Sequence, residues 1–66
     1  MKWTGEYDHI EQTPIVIAKV KKTGEEVKVA RTRDFYATNS KCIYWYDVIP
    51  RTEANRGFWE DDLDFN

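Results

Sequence analysis

The chain has 66 residues, with ten Lys and Arg against twelve Asp and Glu, one His, one Cys and ten aromatic residues. A polypeptide this short buries only about 60% of its unfolded surface and needs dense aromatic packing or association to be stable, which leaves room for one domain at most. The single cysteine excludes an internal disulfide, and one His with one Cys excludes a standard four-ligand zinc site.

Residues 1–9 are interrupted by charges and lack an apolar signal core, and the longest strongly apolar run, Ile15 to Ala18, is far too short to span a membrane. A lone thiol fits a reducing, cytoplasmic setting with no membrane partner. Charge is unevenly distributed along the chain. Residues 1–18 carry Lys2 against Glu6, Asp8 and Glu11, a net of −2. Residues 19–41 carry five Lys and two Arg against Glu25, Glu26 and Asp34, a net of +4. Residues 42–66 carry Arg51 and Arg56 against six carboxylates, a net of −4. A basic middle and an acidic end make an electrostatic dipole along the sequence.

Ile15 to Lys21 is rich in β-branched residues and starts after Pro14, as a strand does. Lys22-Thr23-Gly24-Glu25 reads as a turn, and residues 26–33 alternate with period two. Thr38-Asn39-Ser40-Lys41 is a second turn, followed by the aromatic strand Cys42 to Ile49, stopped by Pro50. Closing the first hairpin at Thr23-Gly24 sets Val20 opposite Val27, Ala18 opposite Val29 and Lys19 opposite Lys28. Closing the second at Thr38–Lys41 sets Phe35 opposite Tyr44, Arg33 opposite Tyr46 and Arg31 opposite Val48. One face then collects Val16, Ala18, Val20, Val27, Val29, Phe35, Tyr44, Tyr46 and Val48 as a core. The other collects Ile15, Ile17, Ile43, Trp45 and Ile49.

Such a sheet needs a cover. Trp3, Tyr7 and Ile10 from residues 1–14, and Phe58, Trp59, Leu63 and Phe65 from residues 51–66, are the material for it. Thr52 to Gly57 reads as a helical turn capped by Thr52 and ended by Gly57. The expected fold is mainly β: a small curled antiparallel sheet of three to five strands, an SH3-like barrel or a meander, with at most one short helical turn. Residues 1–66 form one domain in this reading.

No catalytic, cofactor or metal site is expected. His9 and Cys42 have no orienting third residue, and Cys42 falls on the core side of its strand. Asp62-Leu63-Asp64-Phe65-Asn66 has the opening spacing of a calcium loop without its glycine and glutamate. The three glycines are scattered and form no phosphate cradle.

Three stretches are candidates for binding. Lys19, Lys21, Lys22, Lys28, Arg31 and Arg33, near Tyr36 and Trp45, have the ingredients of a nucleic-acid surface that works by charge and stacking, although a pI of about 5.3 weighs against it. Tyr44, Trp45 and Tyr46 are residue types that dominate interface hot spots. The third, Trp59, Glu60, Asp61, Asp62, Asp64 and Phe65, mixes rings with carboxylates. It either completes the core, contacts a partner, or places carboxylates where a DNA-binding enzyme expects phosphates.

That last segment resembles the acidic, phenylalanine-ending tips by which single-stranded-DNA-binding proteins recruit partners, with Asn66 added after Phe65. Trp3, Pro14 to Ala18, Gly24 to Ala30, and Ile43-Tyr44-Trp45 through Pro50 resemble the layout of a small domain common in phages and prophages. Tyr44 stands where that domain has a histidine, Pro50 lies further from Trp45, and a second proline is missing. The likeness spans residues 3–50 and implies a mobile-element origin. The sequence therefore leads to a non-enzymatic interaction protein that binds and inhibits or modulates a host protein. A nucleic-acid module or an acidic DNA mimic is the alternative, and a homo-oligomer is compatible with each.

Overall fold

The computed structural model describes residues 2–66. Six strands, β1 (Lys2–Tyr7), β2 (Pro14–Val20), β3 (Glu26–Ala37), β4 (Cys42–Val48), β5 (Gly57–Trp59) and β6 (Leu63–Asp64), make one antiparallel sheet; the sole helical element among the described residues is a 3-10 turn, Glu60–Asp62. Strands β1 to β5 neighbour one another in chain order, and β6 returns to pair with β2. The outer edge of β2 is thus shared: β1 pairs Trp3 with Val16 and Tyr7 with Pro14, while β6 pairs Asp64 with Lys19 and Leu63 with Val20. Three residues of 3-10 turn join a strand on β4 to a strand on β2, so the sheet must curl until those two edges approach. The result is a curled antiparallel meander whose sheet stops short of closing into a barrel.

The first hairpin is wider than a two-residue turn. Val20 N–H donates to the Glu25 carbonyl at 2.9 Å and Gly24 N–H to the Val20 carbonyl at 2.7 Å, with Gly24 at φ 76°. The loop therefore holds residues 21–24, and the register lies two residues from the one expected: Ala18 faces Val27, Val16 faces Val29 and Lys19 faces Glu26. Opposite charges replace the Lys19–Lys28 repulsion, and side-chain parity is kept because the shift is even.

The second hairpin closes as expected, with Phe35 opposite Tyr44. Beyond it the ladder jumps, so Arg31 faces Tyr46 and Val29 faces Val48, rather than Arg33 facing Tyr46 and Arg31 facing Val48. The cause is a bulge at residues 32–34. There the buried Thr32 hydroxyl donates to the Trp45 carbonyl at 2.9 Å and accepts the Asp34 N–H at 3.1 Å. Strand β1 repeats the device: Thr4 Oγ1 donates to the Ile15 carbonyl at 2.7 Å and accepts the Glu6 N–H at 3.3 Å, with Gly5 between them at φ 91°.

The core holds Val16, Ala18, Val20, Val29 and Leu63, flanked by Val27, Tyr46, Val48, Phe58 and Phe65. Phe58, Leu63 and Phe65 of the C-terminal segment pack against it, while Trp59, expected with them, turns to the outer face. The N-terminal segment does not cover it: β1 extends the sheet sideways and leaves Trp3, Tyr7 and Ile10 exposed. Phe35, expected in the core, is also exposed because β3 runs on past the end of β2. Residues 52–55 make a single turn, Thr52 Oγ1 accepting the Asn55 N–H at 3.1 Å, and Gly57 opens β5 instead of ending a helix.

Glycine is required at position 57, since a Cβ there would meet the Tyr46 carbonyl and the Trp45 ring. Replacing it by alanine forces β5 away from β4. The Gly57→Ala variant is expected to lose about 1–3 kcal/mol in urea unfolding; a midpoint equal to that of the parent chain refutes the crowding.

Candidate functional site

Period-two alternation sorts the rings onto two faces of the sheet. On the core face, beyond the packed interior, Trp3 and Tyr7 meet edge to face with centroids 5.5 Å apart, and Trp3 Nε1 donates to the Glu6 carbonyl at 3.0 Å. Across Pro14, the Arg31 guanidinium lies 4.9 Å from the centre of the Tyr44 ring, which tilts against Phe35 at 5.6 Å. Trp3 is 53% exposed, Tyr7 62% and Phe35 56%. Two open hollows meet at Arg31. One is floored by Pro14, Val16 and Tyr46. The other, about 360 Å³, is lined by Glu11, Thr13, Thr32, Arg33, Phe35 and Tyr44. Inside the second, Glu11 Oε1 is buried without a hydrogen-bond partner, and Arg33 Nε is 3.9 Å away.

On the outer face the rings pack on one another, with Tyr36 at their exposed margin. Trp59 stands edge-on to both Tyr36 (4.8 Å) and Trp45 (5.1 Å), and Ile43 on this face is only 2% exposed. From Trp45 an ionic network runs to the β1–β2 loop. Trp45 Nε1 donates to Asp47 Oδ1 at 2.9 Å, and Arg51 Nε donates to Asp47 Oδ2 at 2.9 Å. The Arg51 guanidinium then grips both oxygens of Asp8, which also accepts the Glu11 N–H at 2.8 Å. Asp8 is buried, and this arrangement satisfies its charge. The Arg51 hydrogen bonds outweigh burial and hold the Asp8 carboxyl down to about 2, while Arg51 itself is raised chiefly by Asp8. Burial, then the Glu60 carboxylate, raises the Tyr46 phenol.

The residues singled out in the sequence do not form one surface. Tyr44 and Tyr46 lie on the core face, Trp45 and Trp59 on the outer face. Phe65 tilts against Tyr46 at 5.1 Å. Glu60 accepts the Tyr44 N–H, Asp61 binds Lys41 at 3.0 Å, the Asp62 carbonyl accepts the Lys21 N–H, and the Asp64 carboxylate accepts the Asn66 N–H. The acidic end is therefore tied into the sheet as cover. The basic set is dispersed as well. Lys19 sits between Glu26 and Asp64, Lys21 and Lys22 occupy the loop tip, Lys28 faces Ile17 on the outer side, Arg31 lies over Tyr44, and Arg33 is beside Glu11. Cys42, expected on the core side, is exposed because the core ends before it. His9 is exposed, and no cluster of metal-ligating residues occurs among the described residues.

Sequence reasoning missed Trp3, Tyr7, Phe35, Glu11 and the Asp8–Arg51–Asp47 network. A signal for Phe35 was present: a 12-residue β3 cannot be flanked along its length by a 7-residue β2. Comparison with family models, curated proteins and solved structures finds no match.

The depressed Asp8 carboxyl stabilises the fold above its ordinary value of 3.8, and that contribution fades as pH falls through about 2. It amounts to about 2 kcal/mol. In urea unfolding followed by tryptophan fluorescence, the gap between the parent chain and Asp8→Asn is expected to be widest at neutral pH and to shrink from pH 4 downward. A gap independent of pH contradicts the linkage.

Proposed function

We propose that the chain is a non-catalytic protein-interaction module that docks a partner through the core-face belt of Trp3, Tyr7, Arg31, Tyr44 and Phe35. One observation carries this reading: a 66-residue chain with a core of small aliphatic residues leaves Trp3, Tyr7 and Phe35 each more than half exposed on one side of its sheet, around an exposed arginine. Trp, Tyr and Arg supply most of the energy at interface centres, and apolar groups grouped on a surface mark contact sites. The belt supports an apolar side chain seated over Pro14, Val16 and Tyr46, beside the exposed Arg31. The strongly shifted carboxylate, Asp8, is occupied by Arg51 and the Glu11 amide, which favours a structural role over acid–base chemistry. The resemblance of residues 3–50 to a phage and prophage domain makes a host protein the first partner to seek, with inhibition or modulation by occlusion as the effect.

The test is affinity capture from a host lysate followed by titration of the purified partner. Trp3→Ser and Phe35→Ser are each expected to weaken binding about tenfold or more, as hot-spot truncations do, and to leave the unfolding midpoint nearly unchanged. Trp3→Ser and Phe35→Ser binding as tightly as the parent chain, or turnover of a substrate by the purified chain, defeats the proposal.

A further inference from the structure

Strand β3 offers a bare edge. On the side of β2 its ladder ends at Ala30 opposite Ile15, and the Thr13 hydroxyl reaches only as far as the Arg31 carbonyl, at 2.8 Å. Residues 33–40 are all exposed. The direction of their backbone groups follows from the hairpin. Thr38 N–H donates to the Lys41 carbonyl, so Tyr36 and Ile43 form the next hydrogen-bonded pair, while Phe35–Tyr44 and Ala37–Cys42 are non-bonded pairs. The Tyr44 N–H, turned away from β3, goes to Glu60 and agrees with this phase. Phe35 and Ala37 therefore aim both N–H and C=O groups out of the open edge.

The other edges are blunted. Strand β1 is bulged at Gly5 and carries Lys2, and β5 is three residues long. Asp34 to Ser40 contains neither lysine nor proline. The overhang between Arg33 and Asn39 is centred on Tyr36.

We infer that this edge pairs with its own copy, antiparallel about a two-fold axis at Tyr36, joining two sheets into one across a homodimer. The register is self-complementary. Phe35 pairs with Ala37 of the second copy, a large residue against a small one, and each such pair exchanges two backbone hydrogen bonds. Tyr36 faces Tyr36 across the axis as a non-bonded aromatic pair, where side chains approach closest. Asp34 meets Thr38 and Arg33 meets Asn39, so no like charges stand opposite each other. The overhang of one copy fills the space between the β1–β2 loop and the hairpin tip of the other. Association also answers the shortage of buried surface in so short a chain. The backbone edge carries the inference; of the partner-binding belt Phe35 lies on this edge, whereas Trp3 and Tyr7 lie on β1.

Analytical ultracentrifugation of the whole chain under reducing conditions, which keeps exposed Cys42 from cross-linking, is expected to show monomer passing to dimer between micromolar and millimolar concentration. Amide exchange is expected to slow with concentration at Phe35 and Ala37, while Tyr36 is protected throughout. The Ala37→Pro variant removes an N–H that β4 does not use, and it should weaken dimerisation about tenfold or more and keep the parent spectrum. Trp3→Ser, off this edge, leaves the dimer intact. A chain monomeric at millimolar concentration overturns the inference. So does a dimer whose Phe35 and Ala37 amides exchange freely, or an edge that pairs only with an extended segment of another protein. Should the proline variant fail to fold, the exchange pattern of the parent chain decides.

Discussion

The Thr32 hydroxyl sets the shape of the molecule. It takes the place of a main-chain group opposite the Trp45 carbonyl, and in doing so lets β3 absorb an irregularity without exchanging its faces. Before the bulge, β3 is flanked on both sides and contributes Val29 and Ala30, both fully buried, to opposite faces of the sheet. After it, the same strand has a neighbour on one side only and carries Phe35 and Tyr36 into solvent. A core-forming half and a surface-forming half thus share one continuous strand. A threonine suits the role because one hydroxyl both donates and accepts.

The remaining stability comes from ties between segments distant in sequence. Leu63 and Phe65 close the core from the C-terminal end, and the 3-10 turn carries the chain from β5 to β6 with Glu60 and Asp61 anchored to Tyr44 and Lys41. Arg51 reaches Asp8, 43 positions away in sequence, and Asp47, clamping the β1–β2 loop to β4. Buried charge in a fold this small is tolerable because each group in the clamp is satisfied by a neighbour. The exposed ion pairs, such as Lys41–Asp61, add little by comparison.

Much of the fold was legible from residue alternation. β-branched and aromatic residues at period two mark β2, β3 and β4, and the Thr38–Lys41 turn gives the second hairpin its closing register. The first hairpin misled by two residues because Gly24 serves equally well in a two-residue turn and in the four-residue loop that forms. Both bulges were invisible, since a threonine in a strand is ordinary and only its hydroxyl partners reveal the irregularity. Strand β1 was hidden for a similar reason: Gly5 and charged residues break its alternation, and the bulge compensates. The binding residues were mixed because adjacency in sequence was read as adjacency in space. Tyr44-Trp45-Tyr46 necessarily divides between two faces, and the acid-rich end divides again at the 3-10 turn.

Trp45 and Trp59 make one spectroscopic unit. Indoles 5.1 Å apart and nearly perpendicular are close enough for their electronic transitions to couple, so an exciton doublet superimposed on the sheet signal is expected in the far-ultraviolet circular dichroism of this chain. Strand content deconvoluted from such a spectrum will be distorted, and the doublet itself reports whether β4 and β5 remain joined.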